Sequence, residues 1–209
     1  GLTFFRPLIA TALAITGSRR LLGCKAHLIV ELDGQENSVR GEIAAVEKIV
    51  RKQKPLFVER GFGAAECEAV WQIRREFSYA LRDTGLTKLN EDIVVPRGKL
   101  EQLFQFAAKL QRKHSLQLAC FGHAGDGNIH TNVMVDFSQR GAKARSEKCL
   151  DELFRWVIAH GGAITGEHGI GLAKKRWWPQ AVSAESRELH RAVKSALDPR
   201  GILNPGKFV

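Results

Sequence analysis

The stretch FGHAGDGNIHTNVMVD at residues 121–136 constrains this chain more than any other part of it. An apolar run starting at Leu116 ends at Phe121, and a second starts at Ile129 and ends at Asp136. Between them stand Gly125, Asp126, Gly127 and Asn128, residue types that tolerate the positive φ of tight turns. Two strand-length runs joined in this way predict an antiparallel hairpin. A hairpin must bury one face, so the rest of the chain has to supply a cover.

Helical stripes supply it. Val39, Ile43, Val46 and Ile49 recur at helical spacing across residues 36–53, with Pro55 beyond. A second helix is expected at 64–82. A third starts near Gly98, with Leu100, Leu103, Phe104, Ala107 and Leu110 as its stripe. A fourth spans 140–160, buries Leu150, Leu153, Phe154 and Val157, and stops at Gly161-Gly162. A last helix at 184–197 is capped by Ser183 and stopped by Pro199. Further strands are expected at 26–32, 56–59 and 91–96. The mixture reads as α+β, an antiparallel sheet with helices on one face. With no internal repeat or Pro/Ser-rich linker, residues 26–209 read as one domain behind a leading segment, 1–25.

Composition narrows the function classes. Of the 209 residues, 44% are hydrophobic and 26% charged, enough for a core without staples. The most apolar stretch, GLTFFRPLIATALAITG at the start, is interrupted by Arg6 and Pro7, so neither a membrane span nor a signal peptide is expected. That start reads as a boundary inside a longer protein. Cys24, Cys67, Cys120 and Cys149 form no C-x-x-C pair, which argues against zinc-finger and thioredoxin-like folds and for buried thiols in a reducing, cytoplasmic setting. Lys and Arg number 32 against 22 Asp and Glu, a net charge of +10. The clusters Arg51-Lys52-Lys54 and Lys174-Lys175-Arg176 carry no stacking-aromatic motif, so no nucleic-acid partner is expected.

Three constellations carry chemistry. In the hairpin, His123 ends one strand and His130 starts the next, with Asn132 on the face of His130. Their convergence suits a metal or an anion, or is simply a hairpin with surface histidines. Next, residues 161–171 (GGAITGEHGIG) hold five glycines around Glu167 and His168. Glu167 can complete a set of two histidines and one carboxylate with His123 and His130, leaving coordination positions open. His168 is then free for proton transfer. Last, Trp71, Arg74 and Ser78 share one helix face, and Lys88 follows; an Arg fork binds a carboxylate in bidentate fashion.

Taken together and in order, ELDG at 31–34, W-x-x-R at 71–74, NEDIVVPRGKL at 90–100, GHAGDGNIHTNV at 122–133, GGAITGEHGIGLAKK at 161–175 and LDPRGILNPGKF at 197–208 resemble the C-terminal domain of the FAD-linked oxidases of the vanillyl-alcohol oxidase superfamily. The resemblance covers about residues 26–208 and is nearest the group of the glycolate oxidase flavoprotein subunit, D-lactate dehydrogenase and D-2-hydroxyglutarate dehydrogenase. It implies a ferredoxin-like α+β fold, with the helix at 42–54 flanked by two strands. It implies a flavin-dependent dehydrogenase acting on a D-2-hydroxy acid, with FAD held mainly by an N-terminal domain that this chain lacks. His123, His130 and Glu167 then match ligands of a divalent metal, zinc or manganese. Asn132 and Arg74 match substrate contacts, with Arg74 on the carboxylate. Ser78 stands where the family has a threonine, Lys88 matches a substrate lysine after a one-residue shift, and His168 matches the base. Asn204 and Lys207 fall in the terminal segment that closes near the flavin.

The partners implied are a small 2-hydroxy acid, the FAD-binding domain and an electron acceptor that the sequence does not identify. A homodimer is among the assemblies this allows, as is a position at the inner membrane face without a span. Two other readings compete. A non-haem iron oxygenase also uses two histidines and a carboxylate, but on a β-barrel rather than among strong helical stripes. A non-catalytic electron-transfer or assembly subunit that kept the fold would have lost metal or base residues, and all four are present.

Overall fold

The computed structural model describes residues 26–207, and the leading segment 1–25 lies outside them. The chain divides into two compact units at Gly85 and Leu86. Among the described residues no helix is long and apolar enough to cross a membrane.

Among its described residues the first unit carries two helices, α1 (Glu36–Lys52) and α2 (Gly63–Arg82). In α1 an acidic residue opens the first turn and Arg51 and Lys52 close the last, which suits the helix dipole. Glu36–Arg40 and Glu47–Arg51 add ion pairs one turn apart. Val39 is buried and Ile43, Val46 and Val50 are half-buried, whereas the expected Ile49 is exposed. The reason is helical geometry. At about 100° per residue, Val50 returns to within about 20° of Val39, while Ile49 sits about 80° away. The strand expected at 26–32 does not form. Beyond a lone bridge at Ala26, residues 27–35 hold neither helix nor strand, and Leu28 and Val30 are exposed. The short strand expected at 56–59 is also absent, and Leu56 faces solvent. A strand exists only through a neighbour, and the described residues give these runs none. The helix at 42–54 therefore has no flanking strands.

Among the described residues the sheet lies in the second unit. It contains β1 (Thr87–Val94), a 3₁₀ turn (Arg97–Lys99), α3 (Leu100–His114), β2 (Gln117–His123), β3 (Asn128–Val135), α4 (Ala142–Ala159), α5 (Trp178–Ala181) and α6 (Ala184–Leu197). The strand order is β1-β3-β2, antiparallel throughout. This is the expected α+β class, with the hairpin where the sequence places it. β1 starts and ends earlier than the expected 91–96, and at its end Val94 pairs with Asn128 of β3 and also bridges Ala163. Ser183 accepts the Ser186 N–H and so caps α6.

Register sorts the sheet into two faces. Ile93, Ile129, Val133, Val135, Leu118 and Cys120 share one face, and all are buried. α3 and α4 pack on each other, α3 also on β2 and α4 also on β3, so both cover this apolar face. The Phe106 and Trp156 rings stack at 5.2 Å between the two helices. Lys113 and His114 of α3 both reach the Glu152 carboxylate on α4. Each large core side chain contributes about 1.5–3 kcal/mol through burial. Phe154 is fully buried and touches Trp177, ring centroids 4.4 Å apart. Phe154→Ala is expected to destabilise the second unit by about 3–5 kcal/mol, read as a lower urea midpoint in tryptophan fluorescence.

Candidate active site

The other face of the sheet carries polar groups. Antiparallel partners point the same way, so Asp92, His130 and Phe121 form one row, and Asn90, Asn132 and Ala119 the next. Val94, Asn128 and His123 form the row at the turn end, and Lys88, Met134 and Gln117 the row at the far end. β3 is central and wholly buried, so its polar residues face protein or a ligand rather than bulk water. Asn132 Nδ2 donates to the Ala119 carbonyl at 3.0 Å. Among the described residues, Asn128 Oδ1, His130 Nδ1 and Asn132 Oδ1 are buried with no hydrogen-bond partner. Three unmet polar atoms on one strand face would each cost about 1–3 kcal/mol, so this face carries polar groups that the described residues leave unsatisfied.

The glycine-rich segment folds over this face. Val94 and Ala163 exchange two backbone hydrogen bonds of 2.9 Å, which bring the segment onto the end of β1. From there residues 165–168 turn above the sheet. Asp92, with a fully buried side chain, holds the turn: its Oδ2 accepts the backbone N–H of Glu167 at 2.8 Å and of His168 at 2.5 Å, and its Oδ1 accepts that of Gly166. Thr165 Oγ1 also donates to Asp92, at 3.4 Å. Gly166 has to be glycine, because a Cβ there would stand 2.6 Å from Asn128 Nδ2 and 3.0 Å from Asp92 Oδ1.

The turn delivers Glu167 and His168 to His130. Glu167 Oε1 is 3.3 Å from His130 Nε2 and 4.0 Å from His168 Nε2. The His130 and His168 rings stack at 5.3 Å. One donor atom from each of the three residues lies within 4.8 Å of the others. Two ligands of one tetrahedral zinc, each about 2.0–2.1 Å from it, stand about 3.3–3.4 Å apart. The His130–Glu167 pair already has that separation and His168 Nε2 stands at 4.0 Å from Glu167, so two of the three donors are at the spacing a divalent ion needs and the third is close to it. His123 is exposed, its ring centroid 6.4 Å from that of His130, and it lies outside this tight group.

Charge agrees with this arrangement. Burial holds the His130 imidazole below its ordinary pKa, against the pull of the Glu167 carboxylate, which favours the neutral ring a metal requires. Burial alone would raise Asp92, but the N–H groups of His168, Gly166 and Glu167 and the charge of Lys174 leave it below its ordinary value. Lys174 is itself buried. Its Nζ donates to the Asp92 carbonyl at 3.1 Å and sits 3.7 Å from Glu91 Oε2. Burial lowers Lys174 and raises Glu91, and each opposes the other's shift. The Lys174-Lys175-Arg176 cluster is thus spent on the fold, since Lys175 donates to the Gly206 carbonyl and Arg176 pairs with Asp151.

The remaining expected residues are more dispersed. Lys88 and Asn132 share the polar face with His130. Asn204 and Lys207 belong to an exposed turn closed by the Lys207 N–H on the Asn204 carbonyl, with Asn204 at φ 47°. Arg74 and Ser78 lie on α2 in the first unit; Arg74 is half-buried, and burial lowers its pKa. Asp92, Asn128, Thr165 and Lys174 escaped the sequence reading. A carboxylate inside the apolar run EDIVV was the available signal, because a buried Asp needs partners.

Residues 9–208 match the family described as FAD linked oxidases, C-terminal domain. The chain belongs to this family. The match reaches further toward the N-terminus than the motifs that suggested it. Glycolate oxidase subunit GlcD of Bacillus subtilis (strain 168) is 34% identical over 184 residues, covering 88% of this chain and 39% of the relative. GlcD of Escherichia coli (strain K12) is 32% identical, covering 88% and 37%. The mitochondrial D-lactate dehydrogenase [cytochrome] of Arabidopsis thaliana is 29% identical, covering 87% and 32%. The chain therefore spans less than two-fifths of the length of these relatives. A solved 4-ethylphenol oxidase from Gulosibacter chungangensis shares the fold, with a TM-score of 0.52 at 17% identity over 80% of this chain and 36% of that one.

Proposed function

We propose that this chain is the substrate-side and metal-binding part of an FAD-dependent dehydrogenase that oxidises a D-2-hydroxy acid of the glycolate, lactate or 2-hydroxyglutarate type to the 2-oxo acid. The observation that carries the reading is the gathering of His130, Glu167 and His168 over the polar sheet face. Family membership and the names of the relatives support the flavin and the substrate class.

In this reading His130 and Glu167 hold a divalent metal, with His123 as the family's further ligand. Arg74 takes the substrate carboxylate and fixes its orientation. Lys88 and Asn132 line the face against which the substrate lies, with Ser78 as a further contact. His168 takes the hydroxyl proton on a ring nitrogen. When bound, the metal would lower the pKa of the substrate hydroxyl and the flavin would supply the acceptor for the C2 hydride. Asn204 and Lys207 are assigned to the side that meets the flavin.

Calorimetry tests this on the chain itself. D-Lactate, glycolate and D-2-hydroxyglutarate are titrated into chain stripped with chelator and into chain loaded with zinc or manganese. At least one acid is expected to bind the loaded chain about tenfold or more tighter, while the chain without its flavin domain reduces no dye. Equal binding with and without metal, or dye reduction by the chain alone, would count against the proposal.

A further inference from the structure

We propose that Asp92 is the positioning residue of this site: its carboxylate holds the 165–168 turn on the sheet and fixes which nitrogen of His168 carries the proton. Asp92 sits on β1 directly opposite His130, its side chain fully buried. It accepts three successive backbone N–H groups, from Gly166, Glu167 and His168, and the Thr165 hydroxyl. Only a carboxylate meets that demand. It offers acceptor sites on both oxygens and no donor, whereas an asparagine in its place would aim an NH₂ at N–H groups. The bonds are charge-assisted and so among the stronger ones available. From behind, Lys174 fixes the Asp92 main chain through its carbonyl.

The same carboxylate faces the His168 side chain, with Nδ1 3.7 Å from Asp92 Oδ2. The negative charge favours a proton on Nδ1. Glu167 Oε1 stands 4.0 Å from Nε2 and pulls the proton the other way, but that carboxylate is 55% exposed and screened by water, so the nearer, buried Asp92 charge prevails and the lone pair stays on Nε2. An imidazole acting as proton acceptor or metal ligand needs that lone pair, and the partner of its other nitrogen sets where the lone pair stands. What Nε2 goes on to do rests on the function proposed above; the tautomer itself does not.

The test is nitrogen-15 NMR of the metal-free chain, with His168 assigned by comparison with His168→Gln. The neutral His168 ring is expected as the Nδ1–H tautomer in the wild type, and as a mixture with Nε2–H in Asp92→Asn. Zinc titration of the same proteins is expected to give about 10- to 100-fold weaker binding in Asp92→Asn. An Nε2–H ring in the wild type overturns the proposal, and this reading stands even if the variant does not fold. A folded Asp92→Asn with unchanged tautomer and unchanged zinc affinity overturns it as well. A wild-type chain that takes up no zinc overturns the metal reading rather than the role of Asp92, which the tautomer then decides.

Discussion

Replacing Gly127 by alanine is expected to destabilise the second unit by roughly 4 kcal/mol and to loosen the site end of the sheet. Gly127 sits at φ +81° in the β2–β3 turn, and a Cβ there would overlap the Val95 carbonyl oxygen. Left-handed backbone at a non-glycine residue costs about 1–3 kcal/mol. Overpacking against a rigid neighbour adds about 1–3 kcal/mol, which together give the expected loss. Val95 cannot step back, because it is fully buried and its N–H donates to the Gly127 carbonyl at 3.0 Å. One residue earlier, Val94 holds Ala163 and with it the glycine-rich segment. A push at Gly127 therefore moves the hairpin turn, the end of β1 and the segment bearing Glu167 together. Gly125→Ala is the control, since nothing lies within 4 Å of a Cβ there, and it is expected to change stability by less than about 0.5 kcal/mol. Urea denaturation of the two variants measures the contrast; equal midpoints would show that the turn tolerates the methyl.

The difference between these two glycines shows where sequence reading stops. The sequence places both in a turn, and what separates them is the positive φ of Gly127 and the approach of Val95, some 30 residues away. Helices were legible because a 3.6-residue period is local: of the stripes named for α3 and α4, Leu103, Phe104, Ala107, Leu110, Leu150, Leu153, Phe154 and Val157 are buried and Leu100, at the start of α3, is half-buried. The short α5 has too few residues to show a period. Strands were legible only where the partner was also local. The β2–β3 hairpin met that condition. The apolar run at 26–32 looked as strand-like, but the described residues offer it no ladder.

The site divides along the same line. Residue types and glycine density pointed to His130, Glu167 and His168, and alternation placed Asn132 on the face of His130. The place of Asp92 in EDIVV signalled an acid in need of partners, but not which, because those partners lie 73 to 76 positions further along the chain. Nothing local says that an acid on an edge strand will bind a distant turn. His123 stayed ambiguous because the course of the turn, rather than spacing, decides how near its ring comes to His130.

That ambiguity sets up the other large effect. His130→Ala is expected to abolish metal uptake, with zinc affinity falling at least about 100-fold, since loss even of an outer partner costs roughly 10- to 100-fold. His130 is the buried member of the cluster, held on the central strand beside the Phe121 ring at 5.5 Å. Two ligand sets share His130 and Glu167 but differ in the third member. The family assignment takes His123 and leaves His168 as a free base. The grouping seen without a ligand takes His168, whose donor already lies with the other two, and leaves His123 at the exposed rim. Elemental analysis of His123→Ala and His168→Ala after zinc loading separates them. If His123 is a ligand, its loss drops zinc content nearly as far as His130→Ala does, and His168→Ala keeps most of the metal. The reverse pattern would make His168 a ligand and remove it as the base, and the hydroxyl proton would then have to pass to another group. Retention of full metal content by His130→Ala would show that the ion binds elsewhere, and the metal reading of this face would fall with it.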